Sequence, residues 1–158
     1  MSVVLVTGCS TGIGQEAAIQ LAERGHKVYA ACRNPDGADE LTARIDSCAG
    51  DIVSVSLDLL DQSTIDTCVN GIVEAEGRID VLVSNAGIGG GRAMEETPME
   101  EFREVYETNV FGTLAVMQAV IPIMRKQRSG RLVNVTSLAA VNVFGCHGTY
   151  SSSKAAME

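Results

Sequence analysis

Val3-Val4-Leu5-Val6-Thr7-Gly8-Cys9-Ser10-Thr11-Gly12-Ile13-Gly14 decides the architecture. Four consecutive apolar residues, three of them β-branched, predict a strand covered on both faces. Thr7 and Gly8 end it, and Ala17, Ala18 and Leu21 then fall on one side of a helix. A strand that enters a helix through a glycine-rich turn aims the first helical N–H groups, with their partial positive charge, at whatever the turn holds. Gly8 permits the tight turn, Gly12 lets the backbone approach a pyrophosphate, and Gly14 allows the helix to pack closely on the strand. Three glycines can also serve as a plain βα turn. Their position at the first turn of a parallel α/β pattern favours a dinucleotide. No Gly-Lys-Ser/Thr follows them, which disfavours a triphosphate P-loop.

Outward from this unit the pattern repeats. Ser2 to Val6, Lys27 to Cys32, Ile52 to Leu57, Ile79 to Ser84 and Arg131 to Thr136 read as strands, with helix-length amphipathic segments between them. Gly25 takes the C′ position of the first helix. Thr97-Pro98-Met99-Glu100 predicts an N-cap, a proline at N1 and a capping-box glutamate for the fourth. That helix places Phe102, Val105, Asn109, Val116 and Val120 near one face, with Gly112 and Pro122 as points of weakening or kinking. Such repeats predict one doubly wound parallel α/β domain over residues 1–158, sheet order 3-2-1-4-5. A sixth helix begins near Thr149 and is cut off after a few residues, so the domain reads as incomplete, with the fifth strand an uncovered edge.

The 158 residues, 46% hydrophobic and 20% charged, suit one globular core. A net charge of −8 disfavours nucleic acid and anionic membranes. The five cysteines, odd in number and without a C-x-x-C pair, predict neither a disulfide framework nor a metal site. Val3 to Val6 lacks the features of a signal peptide, and Leu114 to Met124, interrupted by Gln118 and Pro122, is too short to span a bilayer. The expectation is a cytoplasmic protein without a membrane anchor.

At the end of the second strand an NAD enzyme requires a carboxylate for the ribose hydroxyls, whereas this chain has Ala31-Cys32-Arg33-Asn34. Arg33 can fork onto a 2′-phosphate, so NADP(H) is preferred, with NAD(H) possible. Asp36, farther along, reads as a helix N-cap. Tyr150 and Lys154 lie four residues apart, on one face of a helix, where the ammonium favours the phenolate and suits the phenol to proton transfer. Ser137 follows the fifth strand at the carboxyl edge of the sheet, either to hold a substrate oxygen or to form a turn. Asn109, an asparagine within a helix, either stitches helix to strand or positions a proton-relay water. Asn85-Ala86-Gly87 and Asp58 follow the fourth and third strands. They flank the same crevice, and each has a structural alternative: Asn85 bracing a turn, Asp58 capping the helix that starts near Asp61.

Thr7-Gly8-x-x-x-Gly12-Ile13-Gly14, Asp58, Asn85-Ala86-Gly87, Asn109, Ser137 and Tyr150-x-x-x-Lys154, in this order, resemble the single-domain branch of the short-chain dehydrogenase/reductase family, whose domain is of the Rossmann type. Cys9-Ser10-x-Gly12-Ile13-Gly14 with Val28-Tyr29-Ala30-x-x-Arg33 is most similar to its steroid and retinol dehydrogenase side. The resemblance covers the whole chain but only the N-terminal three-fifths or so of a member of roughly 250 residues. It implies that Tyr150 is the general acid/base, that Ser137 orients the carbonyl or hydroxyl, and that Lys154 lowers the tyrosine pKa and holds the nicotinamide ribose. Asn109 would anchor a water between Lys154 and solvent. Gly8, Ser10, Thr11, Gly12, Ile13 and Gly14 would hold the dinucleotide, Asp58 the adenine, Asn85, Ala86 and Gly87 the adenosine side, and Arg33 a 2′-phosphate. The family's C-terminal region, which supplies further strands, a substrate cover and part of a homo-oligomer interface, has no counterpart here.

The leading expectation is therefore an oxidoreductase that moves a hydride between NADP(H) and a carbonyl/secondary alcohol pair. Val141, Val143, Phe144 and His147 before the tyrosine, with Gly89 to Gly91 and Met94, would line a pocket for a small apolar alcohol or ketone. The alternative is a non-catalytic nucleotide-binding fragment or interaction module. The glycine spacing argues against the longer sugar-nucleotide epimerases and dehydratases.

Overall fold

A computed structural model describes all residues 1–158. Five parallel strands, β1 (Val3–Thr7), β2 (Lys27–Cys32), β3 (Asp51–Ser56), β4 (Val81–Ser84) and β5 (Arg131–Asn134), form one sheet in the order β3-β2-β1-β4-β5. The helices are α1 (Gly12–Glu23), α2 (Asp39–Ser47), α3 (Gln62–Glu76), α4 (Met99–Tyr106), α5 (Thr113–Gln127) and α6 (Gly148–Ala155). This is the doubly wound order that the sequence pattern predicts. All five residues of β1 are buried, and their period of two feeds two cores. Val3 and Leu5 join Ile65, Ile72, Leu82, Val116 and Val120 under α3 and α5. Val4 and Val6 join Ala18, Ala22, Val28 and Leu41 under α1 and α2.

Side chains trim the strand ends. Ile79 lies outside β4 because the Gln127 carboxamide takes its N–H and its C=O, at 3.0 and 2.9 Å. β5 stops at Asn134, since the Val135 carbonyl turns to accept from Lys154. All four β5 residues are exposed and pair only with β4.

The capping expectations for α2 and α4 fail. The Thr97 hydroxyl donates to Ala93 O at 2.9 Å, because a 3₁₀ turn at Met94–Glu96 precedes α4. Pro98 occupies the N-cap position, so no capping box forms. α2 starts after Ala38, leaving Asp36 exposed and uninvolved. α3 is capped by Asp61, whose carboxylate accepts the Ser63 N–H at 2.9 Å; Asp58 instead braces the Leu60 N–H.

α4 runs into α5 through a π-helical turn, Glu107–Gly112. Gly112 is required there: a Cβ would lie 2.6 Å from Leu59 Cβ. The continuous helix Met99–Gln127 is long and apolar enough to cross a membrane by length and composition. It buries Val105, Val116 and Val120 in this domain, as a core helix does.

Candidate active site

The glycine turn is clamped from β4. Thr7 Oγ1 accepts the N–H groups of Asn85 and Ala86, both at 3.1 Å, and Asn85 Nδ2 donates to Thr7 O and Gly8 O at 3.0 and 3.1 Å. Gly8 has φ +72°, and a Cβ on it would stand 2.7 Å from Ala86 Cα. Gly14 is buried, and a Cβ there would strike Gly8 O, so its part is close packing. Gly12, at φ +67°, has nothing within 4 Å of where a Cβ would point. The N-cap Thr11 makes no side-chain bond to α1, which leaves the first helical N–H groups without that partner. An open glycine beside undonated N–H groups suits the diphosphate of a dinucleotide.

A cleft extends from this turn. Gly8, Ser10, Thr11, Ile13, Arg33, Asp58, Asn85, Ala86 and Gly87 line it together. Gly12 and Gly14 belong to the turn without lining the cleft. Arg33 is exposed at the end of β2 and takes part in none of the four ion pairs. Asp58 Oδ1 accepts the Leu60 N–H at 3.0 Å. Leu57, Leu59, Leu60, Ile88, Glu104 and Thr108 also line the cleft, and sequence reasoning missed them. Glu104 and Thr108, four apart on a helix, carried a signal of a shared face. The leucines read only as core.

α6 places Tyr150, half-buried, one turn from Lys154, buried at 6% exposure. Lys154 Nζ stands 5.9 Å from the Tyr150 ring centroid and donates to Val135 O at 3.0 Å. Burial pulls its pKa below the usual lysine value. Ser137 Oγ accepts the Ala139 N–H at 3.1 Å, capping the 3₁₀ turn Leu138–Ala140. It is thus a turn-forming serine whose acceptor lone pair is used while its proton remains available.

Asn109 is buried in the π turn. Its Oδ1 accepts the Ile88 N–H at 2.8 Å, and its Nδ2 donates to Ile88 O at 2.9 Å and to Ser153 Oγ at 3.0 Å. It therefore joins the helix to the loop after β4 and to α6. Gly87 lies between this amide and the lysine, for a Cβ on it would be 2.9 Å from Asn109 Oδ1 and 3.4 Å from Lys154 Nζ. Ser153, within a run of three serines, carried no local signal of this contact. Met94 packs on Gly148 at the start of α6, and His147 Nδ1 pairs locally with Gly145 O. Leu138, Val141, Val143 and Phe144 are exposed.

The chain is similar to known proteins along its whole length. It is 35% identical over 156 residues to the 3-ketodihydrosphingosine reductase of Bacteroides thetaiotaomicron, covering 99% of this chain and 54% of that protein. The chain thus spans about half the length of the curated relatives it matches. A structure of 7α-hydroxysteroid dehydrogenase complexed with NADH and 7-oxo glycochenodeoxycholic acid superposes with a TM-score of 0.89 at 34% identity, covering 98% of this chain and 60% of the other. An actinorhodin polyketide ketoreductase variant with NADPH does so with a TM-score of 0.93 at 32% identity, covering 99% and 60%. The family model described as short chain dehydrogenase matches residues 2–158. By that match, the fold and these relatives, the chain belongs to the short-chain dehydrogenase/reductase family.

Proposed function

We propose that this chain carries the nucleotide-binding and proton-transfer part of an NADP(H)-dependent oxidoreductase acting on a carbonyl/secondary alcohol pair, with Tyr150 as general acid/base. The carrying observation is the buried Lys154 ammonium, free of any carboxylate, 5.9 Å from the Tyr150 ring centroid. The Tyr150 hydroxyl gives its proton to the substrate oxygen in reduction and takes it back in oxidation. The Ser137 hydroxyl, its proton unspent, holds the same oxygen. Asn109 Oδ1 retains a lone pair for a water that links Lys154 to solvent. A bound nicotinamide supplies or receives the hydride. Gly8, Ser10, Thr11, Gly12, Ile13 and Gly14 hold its diphosphate side, with Asp58, Asn85, Ala86 and Gly87 along the cleft.

Arg33 supports NADP(H): it joins none of the ion pairs and follows β2 in Ala31-Cys32-Arg33-Asn34, a segment without an acid, while Asp39 and Glu40 at the start of α2 line the same hollow. The relatives contribute to neither choice, since one carries NADH and the other NADPH. Exposed Leu138, Val141, Val143 and Phe144 beside α6 favour an apolar ketone or alcohol. One relative is named a 3-ketodihydrosphingosine reductase and another is complexed with 7-oxo glycochenodeoxycholic acid, which agrees with a carbonyl substrate. Five free thiols fit a cytosolic setting, and exposed Phe111 and Leu114 on the long helix leave apolar surface that a homo-oligomer would cover.

Fluorescence titration with NADPH and NADH, beside carbonyl reduction by the full-length protein, tests the reading. Tyr150→Phe is expected to abolish turnover and leave NADPH affinity within about twofold, and Arg33→Ala to weaken NADPH about tenfold more than NADH. Turnover retained in Tyr150→Phe would sink the assignment. NADPH binding without turnover in the wild type would leave a non-catalytic nucleotide-binding module.

A further inference from the structure

Where α6 passes the loop after β4, the count of protons leaves one arrangement. Ser153 Oγ donates to Tyr150 O at 2.8 Å and receives Asn109 Nδ2 at 3.0 Å. A serine hydroxyl has one proton and two lone pairs. With that proton spent on the Tyr150 carbonyl, Ser153 meets Asn109 only as an acceptor. Both Nδ2 hydrogens are then occupied, one by Ile88 O and one by Ser153, and Oδ1 holds the Ile88 N–H with a lone pair to spare. Ser153 is 0% exposed and Asn109 1%, so solvent does not stand in for a missing partner. The amide also sits in a π turn, a conformation that persists where its surroundings hold it.

The spare lone pair borders the space beside Gly87 that Lys154 Nζ also borders. The amine meets Val135 O from the end of β5 and the Tyr150 ring from its own helix, Asn109 Oδ1 lies across the space beside Gly87, and none of the four ion pairs includes Lys154. We propose that Ser153 is a positioning residue that holds the Asn109 carboxamide with its oxygen toward Lys154. The inference rests on the reading of Tyr150 and Lys154 as a proton-transfer pair. Ser153 presents its hydroxyl to Asn109, so its effect on chemistry passes through that amide. Without its oxygen, one Nδ2 hydrogen is buried unpaired, and the amide and π turn move to relieve it.

The test uses the full-length protein, with an NMR titration of the Lys154 ε-methylene in the unliganded state and NADPH-dependent reduction of phenanthrenequinone. In Ser153→Ala the Lys154 titration midpoint falls, because the Asn109 oxygen across the Gly87 space is displaced, and turnover drops about tenfold. Asn109→Ala does the same, and the double variant adds nothing further. Ser153→Thr, which keeps the hydroxyl, retains the wild-type midpoint. An unchanged Lys154 midpoint in folded Ser153→Ala, or an equal fall in Ser153→Thr, overturns the proposal. So does a double variant whose loss is the product of the single ones. Turnover surviving in Tyr150→Phe would instead overturn the functional reading, while the Lys154 titration would still decide the role of Ser153.

Discussion

Lys154 Nζ donates to the Val135 carbonyl at 3.0 Å, so the ammonium that faces Tyr150 also fastens α6 to the end of β5. The same buried charge is costly to fold. Burial lowers its pKa from the usual value of 10.5, meaning the folded protein binds this proton less tightly than the unfolded chain. The penalty is fully present below the folded value and disappears as the pH rises from the folded value through 10.5. Denaturation of wild type and Lys154→Met at neutral and alkaline pH is expected to show the wild type gaining on the variant as the pH rises. Turnover in Lys154→Met is expected to fall by about 100-fold or more. A difference in stability that is flat with pH would contradict the assignment of a depressed lysine.

Gly87 keeps open the space between Asn109 and Lys154. Gly87→Ala would put a methyl 2.9 Å from Asn109 Oδ1 and 3.4 Å from Lys154 Nζ. Steady-state kinetics are expected to show turnover reduced about tenfold, with a stability loss of about 1–3 kcal/mol. Gly71 gives the contrast. It lies within α3 with nothing within 4 Å of a Cβ. Gly71→Ala is expected to raise stability by about 0.5–1 kcal/mol and leave turnover unchanged.

The cysteines should separate by burial. Burial pushes the Cys9 thiol up to about 12 and Cys68 to about 11, and it raises Cys32 as well. Cys146 is exposed and Cys48 half-buried. Titration with an aromatic disulfide at mildly alkaline pH is expected to label Cys146 first and Cys48 more slowly, leaving the other three until the protein unfolds. Fast labelling of Cys9 in the native state would contradict its place in the core.

The sheet was legible because its signals are local: apolar runs long enough for one strand, separated by helical periodicity, with glycines at the turns. Strand ends were less so, since the Gln127 carboxamide shortens β4 from 48 residues away. Thr97 failed as a cap for a similar reason, a neighbouring 3₁₀ turn having taken its hydroxyl. The π turn depends on the approach of Gly112 to Leu59, which no helical pattern encodes. Among the site residues, Arg33, Tyr150 and Lys154 could be placed by strand end or helix face. The partners of Asn109 could not, because Ile88 and Ser153 lie 21 and 44 residues away in sequence.

The clasp between Asn85 and the glycine turn bears on how small a nucleotide-binding piece of this protein can be. Thr7 and Asn85 are 78 residues apart. A polypeptide ending before β4 would keep every glycine of the turn and lose the side chain that holds the Thr7 and Gly8 carbonyls. Recognition of the diphosphate is thus a property of the assembled β1-β4 pair, and the glycine signature read in isolation describes a loop that has yet to acquire its shape.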